Sequence, residues 1–164
     1  EKSELINISA EDFRSEERFD LIFCSHVIQH IHTDTVFPLM ENLRNYLSDN
    51  SVIALSTCHS TDDNDRYGSN YMDNGTPVMD SISREEFDNL VDGRGKLPVH
   101  YFNADRLISD LAAIGLKTVD FRVFHVSRED RDMLQKPDID DYVNSTPALQ
   151  RQHGVDMFLL LEKA

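Results

Sequence analysis

Hydrophobic positions fall into two recurring patterns along this chain. Phe19 to Cys24 (FDLIFC) and Ser51 to Thr57 (SVIALST) are short, nearly continuous apolar runs of strand length, the pattern of strands buried on both faces of a parallel sheet. Between them Phe37, Met40, Leu43 and Leu47 recur at three- and four-residue steps, which predicts a helix with one apolar face. Ser48-Asp49-Asn50 supplies the turn out of it. Strand, helix and strand joined by short connections predict a right-handed parallel crossover and an α/β fold. Asn103-Ala104-Asp105 opens a second helix carrying Leu107, Ile108, Leu111 and Ile114, with Gly115 as its cap. Leu116 to Val126 then alternates as a long strand with Val119, Phe121, Val123 and His125 on one face, and Val155 to Leu161 is the last strand. Those two strands pair antiparallel and close a mostly parallel sheet.

Residues 60–98 interrupt the rhythm. Ser60 to Asn74 is rich in Asp, Asn, Ser and Gly and reads as loop. Ser83 to Val91 (SREEFDNLV) reads as a short helix with Ser83 as N-cap and Glu86 three positions on. An interruption of this length inside a compact domain is more often a lid or binding element than a spacer. Ser127 to Gly154 carries Pro137 and Pro147 and has weak periodicity, and no internal repeat is visible.

The 164 residues are one domain's worth of chain, 40% hydrophobic, with no apolar run of bilayer length. Glu1-Lys2-Ser3-Glu4 has no signal-peptide pattern and no initiator Met, so Glu1 is expected to be a processed or cut end. Sixteen basic against 30 acidic side chains give a net charge of −14. That field repels phosphate backbones and anionic lipid surfaces, and no basic stretch is free of acids, so neither nucleic acid nor membrane is an expected partner. The two cysteines, Cys24 and Cys58, make no disulfide framework and point to a reduced, cytoplasmic compartment.

Several strings, in their order, resemble the carboxyl-terminal half of class I S-adenosylmethionine-dependent methyltransferases. They are Ile8-Ser9-Ala10-Glu11-Asp12-Phe13, Phe19-Asp20-Leu21-Ile22, His26-Val27-Ile28-Gln29-His30-Ile31 and Leu39 to Leu47, then Tyr101 to Leu107 and Ala113-Ile114-Gly115-Leu116. The resemblance implies a partial Rossmann-like sheet with helices on both faces. The family order is 3-2-1-4-5-7-6, with Leu5 to Ile8 ending strand three and strands one and two missing. It implies methyl transfer from S-adenosylmethionine to a small-molecule acceptor, with the 60–98 insertion recognising that acceptor. The alternative is a binding or regulatory half-domain without a cofactor site. The family's glycine-rich turn after its first strand and its ribose-binding acid after the second have no counterpart here. Gly93-Arg94-Gly95 follows no predicted strand. Ser9 stands where many relatives carry an Asp that reaches the adenine. The expectation is therefore an incomplete domain that binds cofactor poorly by itself and self-associates through an exposed edge at Phe19 to Cys24.

In open α/β sheets ligands sit beyond the carboxyl ends of the strands, here Cys24-Ser25-His26 and Thr57-Cys58-His59-Ser60. By resemblance Cys24, Ser25 and His26 face the methionine part of the cofactor, while Ser9, Ala10 and Glu11 edge the adenine. Cys24 is equally a small core residue. His26, His59 and His100 are the candidate general bases, each also readable as a solvated loop histidine. Tyr101 and Phe102 either wall the acceptor pocket or staple the following helix. His26 and His30 share the four-residue spacing of a chelating pair, with His32 nearby. The zinc-protease string needs Glu after the first His, Val27 stands there, and no metal is expected. His30 instead packs on the sheet and caps a helix end. A calcium loop counted from Asp63 fails at Tyr67 and Asn74, which leaves Asp62-Asp63-Asn64-Asp65 a solvated loop.

Overall fold

In the computed structural model the described residues are 6–10, 12–93 and 95–164, and they form a mixed α/β fold around a seven-stranded sheet. The central strand is β2 (Leu47–Ser60). On one edge β1 (Phe19–Ser25) runs parallel to it from Phe19↔Leu47 to Ser25↔Ser56. On the other edge β7 (Asp156–Lys163) runs antiparallel from Ile53↔Leu161 to Cys58↔Asp156, and β6 (Leu116–Phe124) pairs antiparallel with β7. The order β1-β2-β7-β6 matches the 4-5-7-6 portion of the expected sheet. Beyond the end of β1, the last residues of β2 pair in parallel with β5 (Leu97–Asn103) through His59↔Phe102 and Ser60↔Asn103.

The crossover from β1 to β2 passes through a 3₁₀ turn at Ile28–His30 and helix α1 (Val36–Asn45). Helix α3 (Ala104–Ala113) has Asn103 as N-cap, its side chain accepting from Arg106 N, and ends at Ile114 and Gly115. It buries Ala104, Leu107 and Leu111 and touches both α1 and β6. Each leucine contributes roughly 1.5–3 kcal/mol by leaving water. The core is the layer between these helices and the sheet, built from Ile28, Leu39, Met40, Ile53, Leu55 and Leu159 among others.

Four local expectations are corrected. Ser60 to Asn74 is not all loop: β3 (Arg66–Asp73) and β4 (Thr76–Ile82) form a hairpin, with β3 paired antiparallel to β5. Its two-residue turn is Asn74-Gly75, at φ +48° and +82°, the left-handed pair that a tight hairpin requires. That dipeptide was the overlooked signal. Leu47 and Ser48-Asp49-Asn50 lie in β2, with Asn50 at φ +61° inside a bulge between the pairs Phe19↔Leu47 and Leu21↔Val52. A second bulge, between Thr118 and Asp120, leaves Val119 unpaired and 41% exposed, off the face shared by Phe121 and Val123. Ile6 to Ile8 form no strand, and Leu5 lies outside the described residues.

Helix α2 (Arg84–Val91) has the expected capping box, Ser83 with Glu86, and buries Phe87 against the insertion. Ser127 to Gly154 holds three short helices, α4 (Arg128–Leu134), α5 (Ile139–Val143) and α6 (Pro147–Gln152). Among the described residues no helix is long and apolar enough to cross a membrane.

Candidate functional site at the carboxyl ends of the strands

The first parallel pair stops before β2 does. His26 N–H still reaches Ser56 O at 2.9 Å, and the Ser25 and Ser56 hydroxyls meet at 2.9 Å. The next donor on that edge, Cys58 N–H, falls between the β1 pairs, which end at Ser25↔Ser56, and the β5 pairs, which begin at His59↔Phe102. Gln29, buried on the 3₁₀ turn, takes the missing strand's place: its Oε1 accepts from Cys58 N–H at 2.8 Å and from Thr57 Oγ1–H at 3.3 Å.

This arrangement orients the neighbouring rings. With Oε1 facing an N–H, the Gln29 amide nitrogen donates to His30 Nε2 at 3.1 Å, and His30 Nδ1–H donates to Pro98 O at 2.7 Å. His26 Nδ1 lies 3.0 Å from Gln29 Oε1, so it is the donor there. A neutral His26 therefore presents an unprotonated Nε2 with no hydrogen-bond partner among the described residues. His30 is a structural ring tied to β5.

Cys58 and Asp156 are directly opposed across the β2–β7 pair, which brings thiol and carboxylate together. Burial first, then the Asp156 carboxylate, pushes the Cys58 thiol up to about 12. Asp156 Oδ2 also accepts from His125 Nδ1–H at 2.6 Å. His26 and His125 follow β1 and β6 at φ +53° and +55°, conformations that cost a side chain about 1 kcal/mol or more. Ligating atoms of His26, Cys58 and Asp156 all lie within 4.8 Å of one another.

Of the remaining expected residues, Ser25 and Tyr101 stay beside the cluster and the others are placed elsewhere. Tyr101 precedes the His59↔Phe102 pair and flanks the cluster. Burial first, then Cys58, raises its phenol, whose O–H donates to Met79 Sδ at 2.9 Å. Phe102 is a core residue stacked on His100 at 3.7 Å, not a pocket wall. His100 is 4% exposed and packs with Tyr67 and Phe87 inside the insertion. Its Nε2 stands 3.2 Å from Asp65 Oδ2, off line for a hydrogen bond. Burial alone would raise the Asp65 carboxyl, but the His100 ring and Asn103 N–H hold it below its usual value. His59 alternates away from Cys58 and donates from Nδ1 to Gly154 O at 3.1 Å, and burial lowers its pKa. Neither His59 nor His100 joins the cluster.

Cys24 is buried in the core, its thiol raised by burial to about 11, while Ser25 is exposed. Ser9 and Ala10 line an open groove of about 850 Å³ with Phe13, Phe19 and Leu43. Phe19 is the amino end of β1, so this groove lies a strand's length, about 20 Å, from His26. The Ser9 hydroxyl is occupied by Asp12 Oδ2 at 2.8 Å. Glu11 lies outside the described residues. Ser9 and Ala10 thus do not share a cavity with His26. Sequence reasoning missed Gln29, Cys58, Asp156 and His125 as partners, because their meeting depends on strand register.

No family model and no curated protein matches the sequence. Solved structures do resemble the fold. The 1,6-didemethyltoxoflavin-N1-methyltransferase of Burkholderia thailandensis is 12% identical at a TM-score of 0.56, over 97% of this chain and 50% of that one. The CcbJ methyltransferase of Streptomyces caelestis is 12% identical at 0.54, over 95% and 62%. An S-adenosylmethionine-dependent methyltransferase from Clostridium acetobutylicum is 11% identical at 0.57, over 99% and 65%. This chain thus spans half to about two thirds of their lengths. Over that span it has the Rossmann-like fold of S-adenosylmethionine-dependent methyltransferases.

Proposed function

We propose that this chain forms the acceptor side of an S-adenosylmethionine-dependent methyltransferase acting on a small molecule in the cytoplasm. The observation that carries the reading is the β1-β2-β7-β6 order with a polar cluster at the carboxyl ends of β1 and β2. S-adenosylmethionine, when bound, supplies the methyl group on an activated sulfonium. The described residues fit that group only in part. Ser25 and His26 stand at the proper strand end, but no described glycine-rich turn follows a strand, and Ser9 and Ala10 are remote. The chain's own work is to hold the acceptor. His26 Nε2 takes the acceptor's proton, Tyr101 flanks it, and the β3–β4 hairpin covers it as a lid.

Calorimetric titration of the chain with S-adenosylhomocysteine tests the reading. Saturable binding weaker than about 100 µM, or roughly −5.5 kcal/mol, is expected. No heat at millimolar ligand favours the alternative, a non-catalytic methyltransferase-like binding domain.

The second partner in this proposal is another copy of the chain. β1 pairs only with β2 among the described residues, and Leu21 and Phe23 on its outer face are 59% and 68% exposed. An open apolar edge is a template for isologous pairing. Sedimentation is expected to show a concentration-dependent dimer that Phe23→Lys weakens at least about tenfold. A wild-type chain that stays monomeric at high concentration removes this partner.

A further inference from the structure

We propose that His26, Cys58 and Asp156 form a three-ligand site for a divalent transition metal, Zn²⁺ by its donor set, with a fourth position open. Among the described residues this is the one place where three such side chains converge, each offering an atom within 4.8 Å of the others. Ligand atoms around tetrahedral Zn²⁺ stand roughly 3.3–3.8 Å apart, so about an ångström of side-chain movement closes the triangle. Imidazole, thiolate and carboxylate together suit Zn²⁺ and exclude the all-oxygen preference of Ca²⁺ and Mg²⁺.

The surroundings are already those of a supported metal site. Metal-bound histidines donate their second ring N–H to an oxygen, and His26 Nδ1–H donates to Gln29 Oε1. The same Oε1 accepts from Cys58 N–H, so one side chain orients two ligands. The third, Asp156, is held through Oδ2 by His125 Nδ1–H at 2.6 Å. Both supporting turns are left-handed histidines, at φ +53° and +55°. Two left-handed histidines thus border the cluster at the ends of separate strands.

On binding, the Cys58 S–H bond breaks, its proton leaves to solvent, and the sulfur's electron pair forms the bond to the metal. The His26 Nε2 lone pair is likewise engaged, so His26 acts as proton acceptor only in the metal-free chain. Water or the heteroatom of an acceptor takes the fourth position, where the cation lowers its pKa. His32 is the control, since its ring nitrogens face Asp92 and Asp88 separately, at 3.1 and 3.7 Å, and cannot focus both on one ion.

Titration of the reduced, metal-free chain with Co²⁺, followed by displacement with Zn²⁺, decides the matter. One equivalent of Co²⁺ is expected to develop a thiolate-to-metal charge-transfer band and the intense visible bands of four-coordinate Co²⁺. Zn²⁺ should displace it with a Kd below about 1 µM. Cys58→Ser should remove the charge-transfer band and weaken Zn²⁺ at least about tenfold, Asp156→Asn should weaken it similarly, and His32→Ala should change neither. Circular dichroism on each variant separates lost ligation from lost folding. If either variant fails to fold, protection of the Cys58 thiol from alkylation by Zn²⁺ in the wild-type chain gives the same answer. No band, a band that survives Cys58→Ser, or a thiol left unprotected overturns the site. The S-adenosylhomocysteine titration is independent: metal binding without it leaves this proposal standing and removes the methyl-transfer reading alone.

Discussion

Replacing Gln29 by leucine is expected to lower the unfolding free energy by about 3 kcal/mol, read by urea denaturation. The two side chains are similar in size, so packing is largely kept and the loss is polar. Four groups lose their partner at once: Cys58 N–H, the Thr57 hydroxyl, His30 Nε2 and His26 Nδ1. An unsatisfied buried group costs roughly 1–3 kcal/mol. Water rescues the more exposed His26, and the added leucine surface offsets part of the rest, which leaves the expected net figure. Gln29→Glu keeps the accepting oxygen but buries a carboxylate and removes the donor to His30, so it should still cost about 1 kcal/mol or more. The site is coupled to this loss, because without Gln29 the His26 ring loses its anchor and Cys58 N–H its acceptor. A change below about 0.5 kcal/mol for Gln29→Leu would show that the amide does not substitute for the missing strand.

Gly154→Ala is expected to be at least as damaging, about 3 kcal/mol, which for a domain of this size lowers Tm by roughly 6–12 °C. Two causes add. The residue sits at φ +89°, and a Cβ there would lie 2.7 Å from Val123 Cβ. The clashing atom is the Cβ of buried Val123, which no rotamer change can move. Relief requires the ends of β6 and β7 to part, which moves Asp156 away from Cys58. Gly75→Ala isolates the first cause. Its φ is +82°, yet nothing lies within 4 Å of the added carbon, so about 1 kcal/mol of conformational cost is expected alone. Equal Tm losses for the two variants, measured by calorimetry, would remove the steric part of the explanation.

The crossover strands, both long helices and the α2 capping box were legible because each depends on neighbours in sequence. Apolar spacing decides which face of α1 or α3 meets the sheet, and Asn103 or Ser83 caps its helix from three residues away. The β3–β4 hairpin was also written locally, in Asn74-Gly75, but its strands are polar enough to pass for loop. The bulges at Asn50 and Val119 carry no such local mark. Each arises where two strands of fixed twist must stay in register, and each turns a side chain to the face that alternation denies it.

The candidate site divides along the same line. The apolar runs that stop at Cys24 and Thr57 already put His26 and Cys58 near the carboxyl ends of adjacent parallel strands. Composition also makes the domain acidic, at a net charge of −14, and poor in cysteine. That Asp156 faces Cys58, that His125 turns back onto Asp156, and that Gln29 ties His26 to β2 follow from how the strands and turns pack. The same packing puts His59 and His100 in buried surroundings away from the cluster. The reason is geometric. A one-residue slip in the β2–β7 register would send Asp156 to the opposite face, and that register is set by the whole core packing between the helices and the sheet, not by any residue near Asp156 in the chain.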